Sequence, residues 1–324
     1  MNKVKIIGTG SYLPENIVKN DDLAKIVDTD DEWIRTRTGI RERRISEGEN
    51  TSEIATKAAI RAIKAANISV DEIDFIIVAT STPDNFLPST ACMIQDNIKA
   101  LNATCFDISA ACSGFIYALD IGTQFIRSGR ADTILIIGAE ILSKILDWKD
   151  RSTCILFGDG AAAAVLKKSE TEGIFATYTG SDGRLGDALE CSAIPVNNPY
   201  VKRKAEKAKA VVKMDGKEIF RFAVKIMEKS IKKLLKDSGY SADDIKGIIP
   251  HQANFRIIEA ASKRLNINLD KFYVNLDKYG NTSAASIGIA LDEAVRNDIF
   301  KRGDKVLLVG FGGGLTYGGA LIEV

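Results

Sequence analysis

Residues 107–115 read DISAACSGF, a cysteine set among Ala110, Ala111, Ser113 and Gly114. ATCFDIS (103–109) has the pattern of a strand and SGFIYALDIGTQFI that of a helix, so Cys112 falls near a helix N-terminus. Backbone N–H groups there stabilise a thiolate and lower its pKa, and the small neighbours let a substrate carbonyl approach the backbone. For any single cysteine, packing is the commoner role, and Cys112 alone leaves both readings open. His251 is the only histidine in the chain, in IIPHQANFR (248–256), where a strand ends and Gln252 and Asn254 follow. Chemistry that needs an imidazole must use it. Asn281, in DKYGNTSAAS (277–286), stands where a loop meets a helix start, a place where Asn also serves as a turn or cap. In VGFGGGLTYGG (309–319) a glycine turn offers backbone N–H groups to an oxyanion, with a close-packed turn as the equal alternative. That run lacks the Lys-Ser/Thr of a phosphate loop, and GTG at 8–10 is no dinucleotide fingerprint.

These residues need a scaffold, and the hydrophobic pattern supplies one. VKIIGTG, DFIIVAT, TILIIGAE, AAAAVLKK, KGIIPHQ, KVLLVGFG and GGALIEV read as strands. TSEIATKAAIRAIKAAN and EIFRFAVKIMEKSIKKLLKDSG carry apolar residues at helical spacing. Alternation of the two predicts an α/β protein whose sheets are covered by helices. At a constant offset of 172, three ungapped blocks align: SVDEIDFII (69–77) with SADDIKGII (241–249), ACSGFIYALD (111–120) with SAASIGIALD (283–292), and RADTILIIG (130–138) with RGDKVLLVG (302–310). The chain therefore reads as two similar halves, 1–170 and 171–324. In this alignment Cys112 faces Ala284, and Asn281 faces Ser109. Copies that keep a scaffold but differ in polar residues point to one composite site between them.

Composition limits the partners. Lys and Arg total 44 against 43 Asp and Glu, so nothing in the charge suggests nucleic acid or an anionic membrane. The opening MNKVKIIGTGSYLPEN is too short an apolar run for a signal core, and no stretch approaches a membrane span. Five cysteines without a CxxC pair fit reduced thiols in a cytoplasm, not a disulfide or metal framework. Two charged stretches stand apart, DEWIRTRTGIRERR (31–44) and KRKAEKAKAVVK (202–213). Each is either a solvated face or a site for a phosphorylated ligand or acidic partner, with Trp33 able to stack on a base.

GTGSYLPE, TDDEWIRTRTGIRERRI, ACSGF, FGDGAAAAVL, PHQAN, GNTSAAS and FGGG occur in that order. Over essentially its whole length the chain thereby resembles the beta-ketoacyl-acyl-carrier-protein synthase III family of thiolase-fold condensing enzymes. The resemblance implies a five-layer αβαβα fold of two pseudo-symmetric halves, usually a homodimer. It implies an acyltransferase with no permanently bound cofactor, whose substrates are an acyl-CoA primer and malonyl-acyl-carrier protein. By the same resemblance, Cys112 is the acylated nucleophile, His251 and Asn281 serve decarboxylation, and Cys112 and Gly313 supply oxyanion N–H groups. Trp33, Arg37, Arg151 and Asn254 match CoA-binding positions. Gln252, Arg256, Arg221 and Lys263 match contacts to the acidic carrier protein. Leu87, in DNFLPST, stands where a Phe often bounds the acyl pocket, so the primer need not be acetyl-CoA. The run at 202–213 maps to no family role. A hydroxymethylglutaryl-CoA synthase would carry a general-base Glu in another context, and a papain-like hydrolase a CGSCW-like cysteine. Neither motif is present. A non-enzymatic binding module would not need Cys112, His251 and Asn281 together.

Overall fold

In the computed structural model, which describes residues 1–201 and 210–324, the chain lays down two mixed β-sheets in succession. The first holds β1 (Lys3–Tyr12), β2 (Phe75–Ala79), β3 (Thr104–Ile108), β4 (Thr133–Glu140) and β5 (Gly160–Ser169), in the spatial order β3-β2-β4-β5-β1. The second holds β6 (Ile174–Ser181), β7 (Gly247–Pro250), β8 (Lys305–Gly312) and β9 (Thr316–Glu323), in the order β7-β8-β9-β6. β2 runs parallel to β3 and β4, after which β5 and β1 are antiparallel. β7 runs parallel to β8, after which β9 and β6 are antiparallel. The second sheet repeats the first, except that a single parallel bridge from Ile248 to Phe272 stands where β3 would be. Of the basic run at 202–213, residues 202–209 lie outside the described residues.

The longer helices are α1 (Asp31–Thr38), α2 (Thr51–Ala66), α3 (Thr90–Ile98), α4 (Gly114–Arg127), α5 (Gly216–Ser238), α6 (Phe255–Leu265) and α7 (Ser286–Arg296). α2 and α3 cover the outer face of the first sheet, where Ile54, Ala58, Ala62 and Ile94 meet Ile76, Val78, Leu135 and Ile137. α5 and α6 cover the outer face of the second through Met227, Ile231, Leu234 and Ile258 on Ile248, Leu307 and Leu321. α4 and α7 lie between the sheets, and Phe115, Leu119, Ile287 and Leu291 pack with Ile77, Ile136, Ile249 and Leu308. These are the five layers. Burial on both faces explains why β2 and β4 are apolar without alternation. α4 is buried for the same reason, its neighbours coming from both sheets.

Local signals agree with the repeat. α2 starts at a capping box of Asn50 and Glu53, and α5 starts at Asp215, whose carboxylate accepts from Lys217 N and Glu218 N. α2 ends in left-handed Asn67 (φ 52°) and α5 in left-handed Gly239 (φ 76°), residues 172 apart in sequence. Ahead of the two middle helices, Ala111 (φ 45°) and Ser283 (φ 47°) share an uncommon left-handed backbone at equivalent positions. The two turns are pressed onto the opposite sheet strands. A Cβ on Gly138 of β4 would sit on the Ala284 carbonyl.

Gly138→Ala should therefore cost about 1–3 kcal/mol in urea unfolding, as overpacking does, whereas Gly183→Ala, with open space around it, should cost nothing measurable. Equal midpoints for the two variants would show that the turn does not press on β4.

Candidate active site

Strand ends and two turns bring the chemistry together. Cys112 lies in the turn Ala111–Ser113 between β3 and α4. His251 follows the last residue of β7, and Gly313 follows β8. Asn281 is held by a parallel bridge to Phe157, with its N–H donated to Leu156 O at 2.8 Å and its carbonyl accepting from Gly158 N at 3.0 Å. Cys112, His251 and Asn281 line one narrow cavity of about 110 Å3 with Phe157, Leu189, Phe311 and Gly312. Met214, Phe220, Ala253, Asn254 and Ile257 line it as well. Cys112 also borders a second cavity of about 1060 Å3, lined by Leu142, Ile145, Phe157, Leu189, Ile194 and Val212 among others. The cysteine thus stands where a slender passage meets a wide, mainly apolar chamber.

Burial sets the protonation states. His251 is 1% exposed, and desolvation lowers its pKa to about 3, so the imidazole is neutral. Its Nδ1 lies 2.6 Å from Ser286 Oγ, which also receives the Gln252 N–H at 3.5 Å. Among the described residues Nδ1 is the one acceptor the Ser286 hydroxyl reaches, so its proton goes to Nδ1 and the ring proton belongs on Nε2, a donor. The ring meets Phe311 edge-on at 5.1 Å. Asn281 Oδ1 accepts from Ser283 N at 2.8 Å, which leaves its NH2 as the free end. Asn281 thus closes a local turn onto Ser283 N, the turn role that its sequence context allows. Two neutral donors therefore line the same cavity as the cysteine.

The thiol departs from expectation. A helix N-terminus was expected to lower its pKa, but Cys112 is 5% exposed and burial pushes it up to about 12. Ser283 and the backbone N–H groups of Cys112 and Gly313 act in the opposite direction without reversing it. Burial therefore favours the neutral thiol at Cys112. Gly312 is required beside it, since a Cβ there would lie 2.6 Å from Cys112 N.

The outlying residues divide. Trp33 on α1 carries the Arg37 guanidinium 4.4 Å and the Arg151 guanidinium 4.9 Å from its ring centre. Arg151 also donates to Asp28 O at 2.6 Å. Asn254 donates to Arg37 O at 3.1 Å and caps α6 by accepting from Arg256 N, tying that cluster to the passage. Arg256, Arg221 and Lys263 are exposed; Arg221 pairs with Glu218 and Lys263 with Glu259 within their own helices. Gln252 is a correction. It is 1% exposed, its NH2 donates to Pro250 O and Tyr273 O, and its Oε1 accepts from Asn275 N, so it has no surface left for a carrier protein. Leu87 is among the residues that line the wide chamber, and it is 88% exposed in one chain. Sequence reasoning missed Phe311, Phe157, Leu189, Ser286, Ser283 and Glu140. The last of these carried a signal, a lone carboxylate closing the otherwise apolar run TILIIGAE.

Among the described residues no helix is long and apolar enough to cross a membrane, and all five cysteines are free. The family model for the 3-oxoacyl-[acyl-carrier-protein] synthase III C terminal matches residues 235–324, and that for 3-oxoacyl-[acyl-carrier-protein] synthase III matches residues 106–183. A beta-ketoacyl-[acyl-carrier-protein] synthase III from Clostridium kluyveri is 68% identical over 324 residues, covering 100% of both chains. The crystal structure of 3-oxoacyl-[acyl-carrier-protein] synthase III from Aquifex aeolicus VF5 superposes with a TM-score of 0.93 at 50% identity, covering 99% of this chain and 100% of that one. The priming beta-ketosynthase of the R1128 polyketide pathway superposes with a TM-score of 0.93 at 36% identity, covering 100% and 96%.

Because His251 is the only histidine, its ring carbons can be followed by NMR after 13C-histidine labelling. Its shifts should stay constant between pH 5 and 8. The unfolded chain binds this proton near 6.5 and the folded one only near 3, so His251 makes stability fall as pH drops through that window. A titration midpoint near the ordinary value would contradict the buried, neutral ring.

Proposed function

The chain belongs to the beta-ketoacyl-[acyl-carrier-protein] synthase III family, and on that premise we propose how its residues divide the work of condensation. The enzyme is an acyltransferase that joins an acyl-CoA primer to malonyl-acyl-carrier protein with loss of carbon dioxide, initiating fatty acid synthesis. One observation carries the assignment of roles: Cys112 from residues 1–170 and the donors His251 and Asn281 from residues 171–324 line a single cavity.

In the first step the thioester of the primer reaches Cys112 through the narrow passage, and its acyl chain lies in the chamber of about 1060 Å3. The sulfur attacks the carbonyl carbon, whose oxygen is received by the N–H groups of Cys112 and Gly313. The bond to the CoA sulfur breaks, coenzyme A leaves as a thiol with the proton that the cysteine gives up, and the acyl group stays on Cys112. In the second step the thioester oxygen of the malonyl group accepts from His251 Nε2 and Asn281 Nδ2. The carboxylate departs as carbon dioxide and its electron pair forms an enolate held by those two donors. The enolate carbon attacks the acyl-cysteine, and the sulfur leaves and is reprotonated. Neutral donors suit this step. They stabilise charge that appears only in the transition state and attract the ground-state carboxylate less than a cation would.

Trp33, Arg37, Arg151 and Asn254 form the proposed mouth for CoA. Arg256, Arg221 and Lys263 are the proposed contacts for the acidic carrier protein, which then acts without help from Gln252. We propose a homodimer, in which a second copy covers the exposed Phe86 and Leu87, 74% and 88% accessible in one chain. A cytoplasmic setting without a resident cofactor fits the free cysteines and the neutral, cofactor-free roles assigned.

Intact-protein mass spectrometry after incubation with a panel of acyl-CoA primers should show one acyl group on Cys112 and none on Cys112→Ala. Leu87→Phe should narrow the accepted panel toward shorter chains. A wild-type protein that gains no adduct from any primer would remove Cys112 from the reaction.

A further inference from the structure

The stretch DEWIRTRTGIRERR holds five arginines, and one of them reaches neither solvent nor the two cavities at Cys112. Arg43 is 0% exposed, in the middle of the short strand Glu42–Arg44, which pairs antiparallel with Ile17–Lys19. Among the described residues no carboxylate lies within ion-pairing distance of it. Burial lowers its pKa only to about 10, so it stays a cation at neutral pH. An apolar side chain of like volume would fill the space at less cost than a bare charge, so the guanidinium calls for a geometric task.

Its two terminal nitrogens grip three acceptors, while Nε has no partner among the described residues. Nη1 donates to Val18 O at 3.2 Å and to Asn20 Oδ1 at 2.9 Å, and Nη2 donates to Ile155 O at 2.8 Å. On the Nη2 side, Ile155 ends the helical turn Arg151–Cys154 and leads into Leu156 and Phe157. Those two residues carry Asn281, one by accepting its N–H and the other by the parallel bridge. Arg43 also packs on the glycines beside that pairing. A Cβ on Gly158 would lie 3.1 Å from Arg43 Cβ, and one on Gly280 would lie 3.4 Å from it. On the Nη1 side, buried Asn20 donates from Nδ2 to Asp31 Oδ1 and to Ile40 O, both at 2.8 Å. Asp31 opens α1 and Ile40 follows its end, so Asn20 holds both ends of the helix that carries Trp33 and Arg37. A planar guanidinium can bridge the two sides with its fork, which the single ammonium of a lysine cannot.

We propose that Arg43 is a positioning residue that fixes the Asn281 donor and the mouth for CoA in one frame. One arm holds the segment on which Asn281 rests, so that Asn281 Nδ2 meets the malonyl thioester oxygen together with His251 Nε2. The other arm holds α1, so that Trp33 keeps its place against Arg151, whose own helical turn ends at the Ile155 carbonyl that Arg43 grips. His251 is tethered separately, through Ser286 on α7. Arg43 itself touches no substrate in either step. The inference rests on the roles proposed above for Asn281 and for the CoA mouth.

The test places Arg43→Met in three backgrounds of the full-length enzyme and follows labelled carbon dioxide released from malonyl-acyl-carrier protein. In the wild type and in His251→Ala the substitution should slow release by about 10–100-fold, on the order of what a displaced group costs. In Asn281→Ala, where the amide to be placed is gone, it should slow release by no more than about twofold. Acyl transfer from an acyl-CoA primer to Cys112 should show KM raised several-fold, with kcat within about twofold of wild type. Arg43→Lys keeps the charge without the fork, and it should show the same pattern with smaller factors; it carries the test if Arg43→Met does not fold. Equal factors in all three backgrounds would be those of a general structural role and would overturn the inference, as would unchanged release from either variant in the wild-type background. An unchanged primer KM would overturn the tie to the CoA mouth. Release at the wild-type rate from Asn281→Ala itself would instead overturn the reading of Asn281 on which the inference stands.

Discussion

The backbone of Cys112 lies so near Gly312 that no methyl group fits between them, and most of the site follows from that approach. On the other side Gly138 meets the Ala284 carbonyl in the same manner. Each half of the molecule thus presses a turn onto the strand end of the other. Both turns carry a residue with positive φ, Ala111 in one and Ser283 in the other. Such backbone is costly without glycine and persists only where surrounding packing over-determines it. The layered core supplies that packing, with α4 and α7 held rigidly between two sheets. The reacting groups therefore ride on turns fixed by the scaffold, not on free loops, which is what close positioning of a thioester demands.

A second consequence is electrical. Turns packed this tightly exclude water, and exclusion of water disfavours charge. The His251 ring is neutral, the Cys112 thiol keeps its proton, and Glu140 is brought near neutrality. The cavity is lined by neutral donors and a protonated thiol. That arrangement favours a reaction in which charge appears only transiently, on an oxyanion in one step and an enolate in the next.

Much of this was legible in the sequence. Three blocks at one offset revealed the duplication, and the structure shows its cause in equivalent strands, helix ends and left-handed turns. Cys112, His251 and Asn281, which the structure brings to one cavity, stand out in the sequence because cysteine, the single histidine and an asparagine after glycine are distinctive types. What escaped was of two kinds. Ser283, Ser286 and Glu140 act through hydrogen bonds to partners as many as 143 residues away, and no local pattern marks such pairings. Burial was the other. The family resemblance placed Gln252 among the carrier-protein contacts, yet tertiary packing occupies its whole amide internally. The Cys112 thiol was expected to be acidified by a helix end, a local effect that desolvation by both halves outweighs.

The central claim is that one half of the molecule accepts the acyl group while the other generates the carbanion. The most direct test measures both half-reactions separately in His251→Ala and Asn281→Ala, following acyl transfer to Cys112 and release of labelled carbon dioxide from malonyl-acyl-carrier protein. Acyl transfer should proceed at close to the wild-type rate, while carbon dioxide release falls about 100-fold or more, the usual cost of a lost oxyanion donor. A parallel loss of both half-reactions would contradict the division of labour between the halves.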